Sequence, residues 1–178
     1  MLRRLLLTLT DRRLGAALAA LRAAGPALGD LAAAPAGAAE FFRPFRVRLH
    51  NAAEQAGEPR SLAALAAAMD FTARLEKTFS DMALLQAPPD RAALEALARM
   101  QLACGAADDL LYTSRRALAF ASLRAAIAEG RRLLASAKAA ADRSPESFTQ
   151  NLKFSSIYSG LDGAFDSLER CAEALFRA

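Results

Sequence analysis

The chain has 178 residues, enough for one domain with a core of its own and no need of disulfide staples. Hydrophobic residues make up 54% and there is no Trp; Ala supplies about half of that apolar fraction and is the best helix former, so the composition favours closely packed helices. The net charge is +4, but the basic residues come as pairs (Arg3-Arg4, Arg12-Arg13, Arg115-Arg116, Arg131-Arg132) rather than as a phosphate-tracking run, which excludes nucleic acid as the expected partner and leaves solvated helix faces, with an acidic protein or a membrane surface as the sharper reading.

In chain order, the start MLRRLLLTLTDRR resembles a signal peptide only briefly. Thr10-Asp11-Arg12-Arg13 interrupts its apolar run, so export is not expected. No window reaches the ~20 apolar residues of a membrane span, and the chain is expected to be cytoplasmic, at most peripheral to an inner membrane. A first helix is predicted from Asp11 to Ala24, stopping at Gly25-Pro26, followed by a short Ala-rich piece that stops at Pro35-Ala36-Gly37. The expected organisation is one helical domain over 1–178, with 1–37 as a loosely packed N-terminal arm. Residues 38–56 read as helical on both sides of Pro44, with Phe41, Phe42, Phe45, Val47 and Leu49 as the apolar set, and end at Gly57-Glu58-Pro59.

Ser61 is the expected N-cap of the next helix, whose core stripe is Leu62, Leu65, Met69, Thr72, Leu75 and Phe79. Pro88-Pro89 forces a break, and Asp90 caps a helix that carries Leu94, Leu97, Gln101, Cys104 and Leu111. Around Tyr112 to Ser114 the pattern continues or kinks into a helix running to about Ala141, with Gly130 as a soft spot. Ser144-Pro145-Glu146 then places an N-cap, a first-position Pro and a first-turn acid at the start of the last helix. Gly160 and Gly163 inside that helix point to a close backbone neighbour. Six or seven long helices with short breaks imply an all-α, antiparallel up-and-down bundle.

The last helix carries two stripes. Leu161, Phe165, Leu168, Ala172 and Leu175 form a core-facing seam, and Asp162, Asp166, Glu169 and Glu173 repeat the spacing beside it. The plain reading is an acidic flank balanced by Arg170 and Arg177. The sharper one is an oxygen-ligand site for Mg²⁺, Mn²⁺ or Fe, or a surface for an Arg-rich partner. Asp70, Asp108 and Asp109 are the acids expected on facing helices, with Glu95 lower on the same helix as the latter two. Catalytic chemistry is otherwise poorly served. There is no GxGxxG or P-loop, and His50 is the only histidine, which excludes ExxH di-iron pairs, zinc and any usable nucleophile–histidine arrangement. Cys104 and Cys171 belong to no CxxC pair and read as small buried residues in a reducing compartment. The chain is therefore read as no enzyme.

Three segments carry a family resemblance. Met69-Asp70 through Arg74-Leu75-Glu76-Lys77-Thr78-Phe79 is similar to an acidic helix ending in Leu-x-x-Thr-Phe. Pro89-Asp90-Arg91 with Leu94 and Leu97 is similar to a Pro-x-Asp-Arg helix entry. Ile157-Tyr158, Leu161-Asp162, Asp166 and Glu169 are similar to a final helix in which Tyr precedes acid-x-x-x-Asp-x-x-Glu. Together, over residues 60–178, these resemble the PhoU-like phosphate-transport regulators, in the branch that accompanies Pit-type phosphate transporters. The resemblance implies a PhoU-like helical bundle acting by contact on the cytoplasmic face of a phosphate permease. It also implies a metal or an Arg-rich partner held by Asp162, Asp166 and Glu169, with Asp70 and Asp109 assisting, and it leaves homo-oligomerisation open. The sequence departs from the pattern at Ala66 and Gly105, where acids are expected one turn before Asp70 and Asp109, so the resemblance implies a single weak metal site or none. The rival expectations are a phasin-like structural or adaptor protein, which needs exposed apolar helix faces and little fixed core, and a carboxylate metal-binding protein of other role.

Overall fold

The apolar periodicity becomes six helices in the computed structural model, which describes residues 11–55, 59–111, 114–143 and 148–178. They are α1 (Arg12–Ala33), α2 (Ala38–Ala53), α3 (Pro59–Leu84), α4 (Arg91–Ala106), α5 (Arg116–Ala141) and α6 (Phe148–Arg177). Short 3-10 turns lie at Pro35–Gly37 and Ala107–Leu111, and no strand occurs among the described residues. The expectations placed on Met1–Thr10, on Gly57-Glu58, on the Tyr112 kink and on the Ser144-Pro145-Glu146 start fall outside the described residues.

The seam of α6 holds the molecule together. Leu161, Phe165, Leu168, Ala172 and Leu175 are all fully buried, as are Leu65, Phe71, Leu75 and Phe79 of α3, and α3 is the helix on which α6 packs most extensively. Arg60 reaches the Arg177 carbonyl, Asp70 meets Ser167, and Lys153 reaches the Leu85 carbonyl. Residue numbers rise along one helix as they fall along the other, so this pair runs in opposite directions. α5 packs on the other side of α6 and on α4; α4 packs on α1; α1 closes back on α3, and α2 lies across α3 and α1. Full burial of a Leu or Phe contributes about 1.5–3 kcal/mol, whereas an exposed ion pair adds about 0–1 kcal/mol. The apolar seam therefore sets the packing and the charged flanks follow it.

Local expectations need correction at several places. α1 does not stop at Gly25-Pro26 but runs on to Ala33. Pro26 is on the exposed side, where water can satisfy the carbonyl it frees, and a Cβ on Gly25 would stand 3.0 Å from the Cys104 Cβ. Gly25 is thus a close-approach residue, not a stop. The segment set apart as an arm is, from Arg12 onward, part of the core, since Leu14, Leu18, Leu21 and Leu28 are buried. Ser61 is not the cap of α3, because that helix already begins at Pro59 and Ser61 is buried within it. Val47, Leu62 and Leu94, expected in the core, are about half exposed. Other boundaries follow the sequence. Asp90 caps α4 by accepting from the Ala93 amide at 2.9 Å, α2 continues through Pro44, and α5 ends at Ala141. No described helix is long and apolar enough to cross a membrane.

Gly130 is a packing position rather than a soft spot, since a Cβ there would meet the Phe165 ring, with Cε2 at 2.8 Å. On Gly160 a Cβ would collide with Thr78, whose hydroxyl is pinned by donating to the Arg74 carbonyl at 2.7 Å. On Gly163 it would meet only the mobile guanidinium end of Arg74, at 2.5 Å. Gly29 has open space around it. Alanine is the better helix former by about 1 kcal/mol, yet the sign should depend on these neighbours. Gly130→Ala and Gly160→Ala are expected to lose about 1–3 kcal/mol by overpacking. Gly163→Ala should be near neutral and Gly29→Ala stabilising. Urea unfolding of the four variants checks this order, and stabilisation by Gly130→Ala would show that α5 and α6 do not approach through that glycine.

Candidate functional site: the charged flanks of the last helix

The acidic stripe of α6 emerges on both sides of its seam, and each side meets arginines of a neighbouring helix. Toward α5, Arg131 Nε lies 2.9 Å from Asp162 Oδ1 and its Nη1 3.7 Å from Glu169, while Arg124 Nε lies 3.4 Å from Glu169. Arg124 and Arg131 are two turns apart, as are Asp162 and Glu169, so the two helices zip in register. The stripe also pairs within α6. Arg170 reaches Asp166 at 3.2 Å and Arg177 reaches Glu173 at 3.5 Å, which is the plain reading of the sequence for those two acids.

Toward α3 the centre is Asp70. Its Oδ2 accepts from Ser167 Oγ at 2.6 Å, from Arg170 Nη2 at 2.6 Å and from Arg74 Nε at 3.0 Å. Ser167 is fully buried; its one proton goes to Asp70 in preference to the Gly163 carbonyl at 3.1 Å, and its oxygen also accepts from Arg170 at 3.1 Å. Burial pushes the Asp70 carboxyl up, but the hydrogen bonds from Ser167, Arg74 and Arg170 outweigh it and hold the group below its ordinary value. Asp109 sits half-buried in the 3-10 turn Ala107–Leu111. Its neighbour Asp108 pairs with Arg22 of α1.

A third polar contact joins two of the sequence segments singled out above. Tyr158 Oη donates to Asp90 Oδ2 at 2.5 Å, while the other oxygen of Asp90 caps α4. Burial and the adjacent Asp90 carboxylate push the Tyr158 hydroxyl up, so it stays a donor and does not serve as a base. His50 is exposed and lies 3.7 Å from Glu54. Cys104 and Cys171 are fully buried, and burial raises both thiols, that of Cys171 to about 12, so neither supplies a thiolate.

The residues expected to hold a metal are thus brought near one another only in part. Among the described residues, no group of three or more His, Cys, Asp or Glu side chains comes together. Asp162, Asp166, Glu169 and Asp70 each face arginine. A divalent cation needs several converging oxygens, and here each carboxylate sits beside a fixed positive charge, so the donor set does not fit one. Sequence reasoning missed Ser167 and Arg124, and read Arg131 only as part of an arginine pair on a solvated face. The two arginines carried a signal, a two-turn spacing that mirrors Asp162 and Glu169. Comparison with family models, curated proteins and solved structures finds no match to this chain.

The Asp70 cluster has a pH signature. A carboxyl held below its ordinary value stabilises the fold above about pH 4, and that contribution is lost as pH falls through the lowered value. Because the group is partly exposed, Asp70→Asn is expected to cost only about 1 kcal/mol at neutral pH. The gap between parent and variant should close as the solution is acidified below about pH 4. Thermal unfolding across that range measures it, and a gap independent of pH would remove the charged hydrogen bonds as its cause. For the metal, elemental analysis and calorimetry with Mg²⁺ or Mn²⁺ are expected to give no stoichiometric binding. Binding abolished by Asp162→Ala/Asp166→Ala would restore the carboxylate site.

Proposed function

We propose that this chain works by protein contact and without catalysis, as an accessory or regulator of inorganic phosphate transport docked on the cytoplasmic face of a permease, in an up-and-down bundle of PhoU-like type. The observation that carries the reading is that the three segments behind the resemblance form one connected unit. The Asp70 segment of α3 bonds to Ser167 and Arg170 of α6, and the Asp90 entry to α4 bonds to Tyr158 of α6. The fully buried seam also speaks for it against a phasin-like coat, which would need apolar faces left open and little fixed core. With its acids engaged by arginine, the stripe serves as the scaffold of such a regulator.

Deleting the gene is expected to change the rate of phosphate uptake, and a pull-down at low salt is expected to recover a multi-spanning permease, with recovery falling as ionic strength rises. Unchanged uptake, together with fractionation on storage granules, would favour the phasin-like coat instead.

A further inference from the structure

Away from the acidic stripe, α1 and α2 enclose a groove of about 720 Å³. Its α1 side is made of small residues, Gly15, Ala16 and Ala19, and its α2 side of Pro44 and Val47. Val47 is 55% exposed, although the sequence marks it for a core. Arg12, Arg43 and Arg48 rim the groove, and no carboxylate among the described residues lines it. Their situation differs from that of Arg13 and Arg46 beside them. Arg13 bonds to the carbonyls of Ala52 and Ala53 at 3.4 and 3.2 Å and ties the start of α1 to the end of α2. Arg46 is paired with Glu76 of α3. Arg12, Arg43 and Arg48 have no acid partner among the described residues. Three unmatched guanidinium groups therefore surround a channel of small apolar residues.

We propose that this groove docks an acidic amphipathic helix of a partner protein. The complementarity runs on two levels. An apolar ridge at i, i+3, i+4 and i+7 fits between two helices whose facing residues are small, as in helix-in-groove recognition. Carboxylates flanking that ridge meet Arg12 on one wall and Arg43 and Arg48 on the other, pairs that arginine makes with good geometry. A lipid surface fits less well, because a bilayer takes up large apolar side chains from a convex face, and here Val47 is the one large aliphatic residue on a concave one. A nucleic-acid strand would call for stacking aromatics beside the arginines, and none among the described residues lines the groove. The proposal shares with the phosphate reading only the premise of action by contact, and either can fail alone.

The test uses the full chain as bait for a displayed library of fourteen-residue helical peptides, with Arg43→Glu/Arg48→Glu as counter-selection. All altered positions are exposed, so the variants should keep the parent's helical circular dichroism. Enriched peptides are expected to carry apolar residues at helical spacing flanked by Asp or Glu. By fluorescence polarisation they should bind the double variant about tenfold more weakly than the parent. Val47→Ser should weaken them as well, and rising salt should weaken parent binding more than variant binding. An absence of enrichment, peptides without acidic flanks, or equal affinity for parent and double variant would each overturn the proposal. So would sedimentation of the chain with phosphatidylglycerol vesicles in the absence of any peptide preference, which would assign the arginines to a membrane.

Discussion

The bundle depends on how closely α6 can approach α3 and α5. Two glycines of α6 and one of α5 sit where a single methyl group would collide with a buried neighbour or press on an arginine. Only because Gly160 is bare can Thr78 lie against the α6 backbone, and only because Gly130 is bare can the tip of the Phe165 ring reach the α5 backbone. Each glycine gives up about 1 kcal/mol of helix propensity. What is gained is contact between surfaces at interior packing density, multiplied along helices of 26 and 30 residues. Once the backbones are that close, the flanking side chains have little choice of partner. Asp70 is delivered to Ser167 and Arg170, and Asp162 to Arg131.

The core was legible where it repeats with the helix and faces inward. The α6 seam could be read residue by residue, as could the cap at Asp90 and the interruption before it. What failed was local punctuation. Gly25-Pro26 has the composition of a stop, but the stop signal weighs only on backbone hydrogen bonding, and burial of Leu18, Leu21 and Leu28 on either side of it keeps α1 whole. Val47, Leu62 and Leu94 failed for a different reason. Periodicity assigns a residue to an arc of the helix, and the width of arc that is covered depends on neighbours that one helix cannot disclose.

The acids show the same limit at the level of chemistry. A row of carboxylates at helical spacing has a geometry compatible with a cation, with an arginine ladder or with water. The choice belongs to the facing helix. Here α5 presents Arg124 and Arg131 at the matching two-turn interval, and α3 presents Arg74 beside Asp70. With pairs this exposed the gain per pair is below about 1 kcal/mol. They join the two helices side by side, Arg131 meeting Asp162 and Glu169 and Arg124 meeting Glu169. Ser167 adds specificity of another kind, as a fully buried hydroxyl with one proton and one best acceptor.

This internal neutralisation decides where the net charge of +4 is expressed. On α6, Lys153, Arg170 and Arg177 stand against Asp162, Asp166, Glu169 and Glu173; Arg124 and Arg131 of α5 meet Asp162 and Glu169, while Arg170 also meets Asp70 of α3. On α2, Arg43, Arg46 and Arg48 stand against Glu40 alone within the helix, and among the described residues only Arg46 is met by an acid from outside it. Positive charge is thus in excess at α2 and the start of α1. Screening confines its reach to about 8 Å at physiological ionic strength, so it steers and orients a partner close to contact and holds it only weakly. Lasting attachment must come from apolar surface that a partner can cover, and on this side of the molecule such surface lies between the arginines, in the channel formed by Ala16, Ala19, Pro44 and Val47.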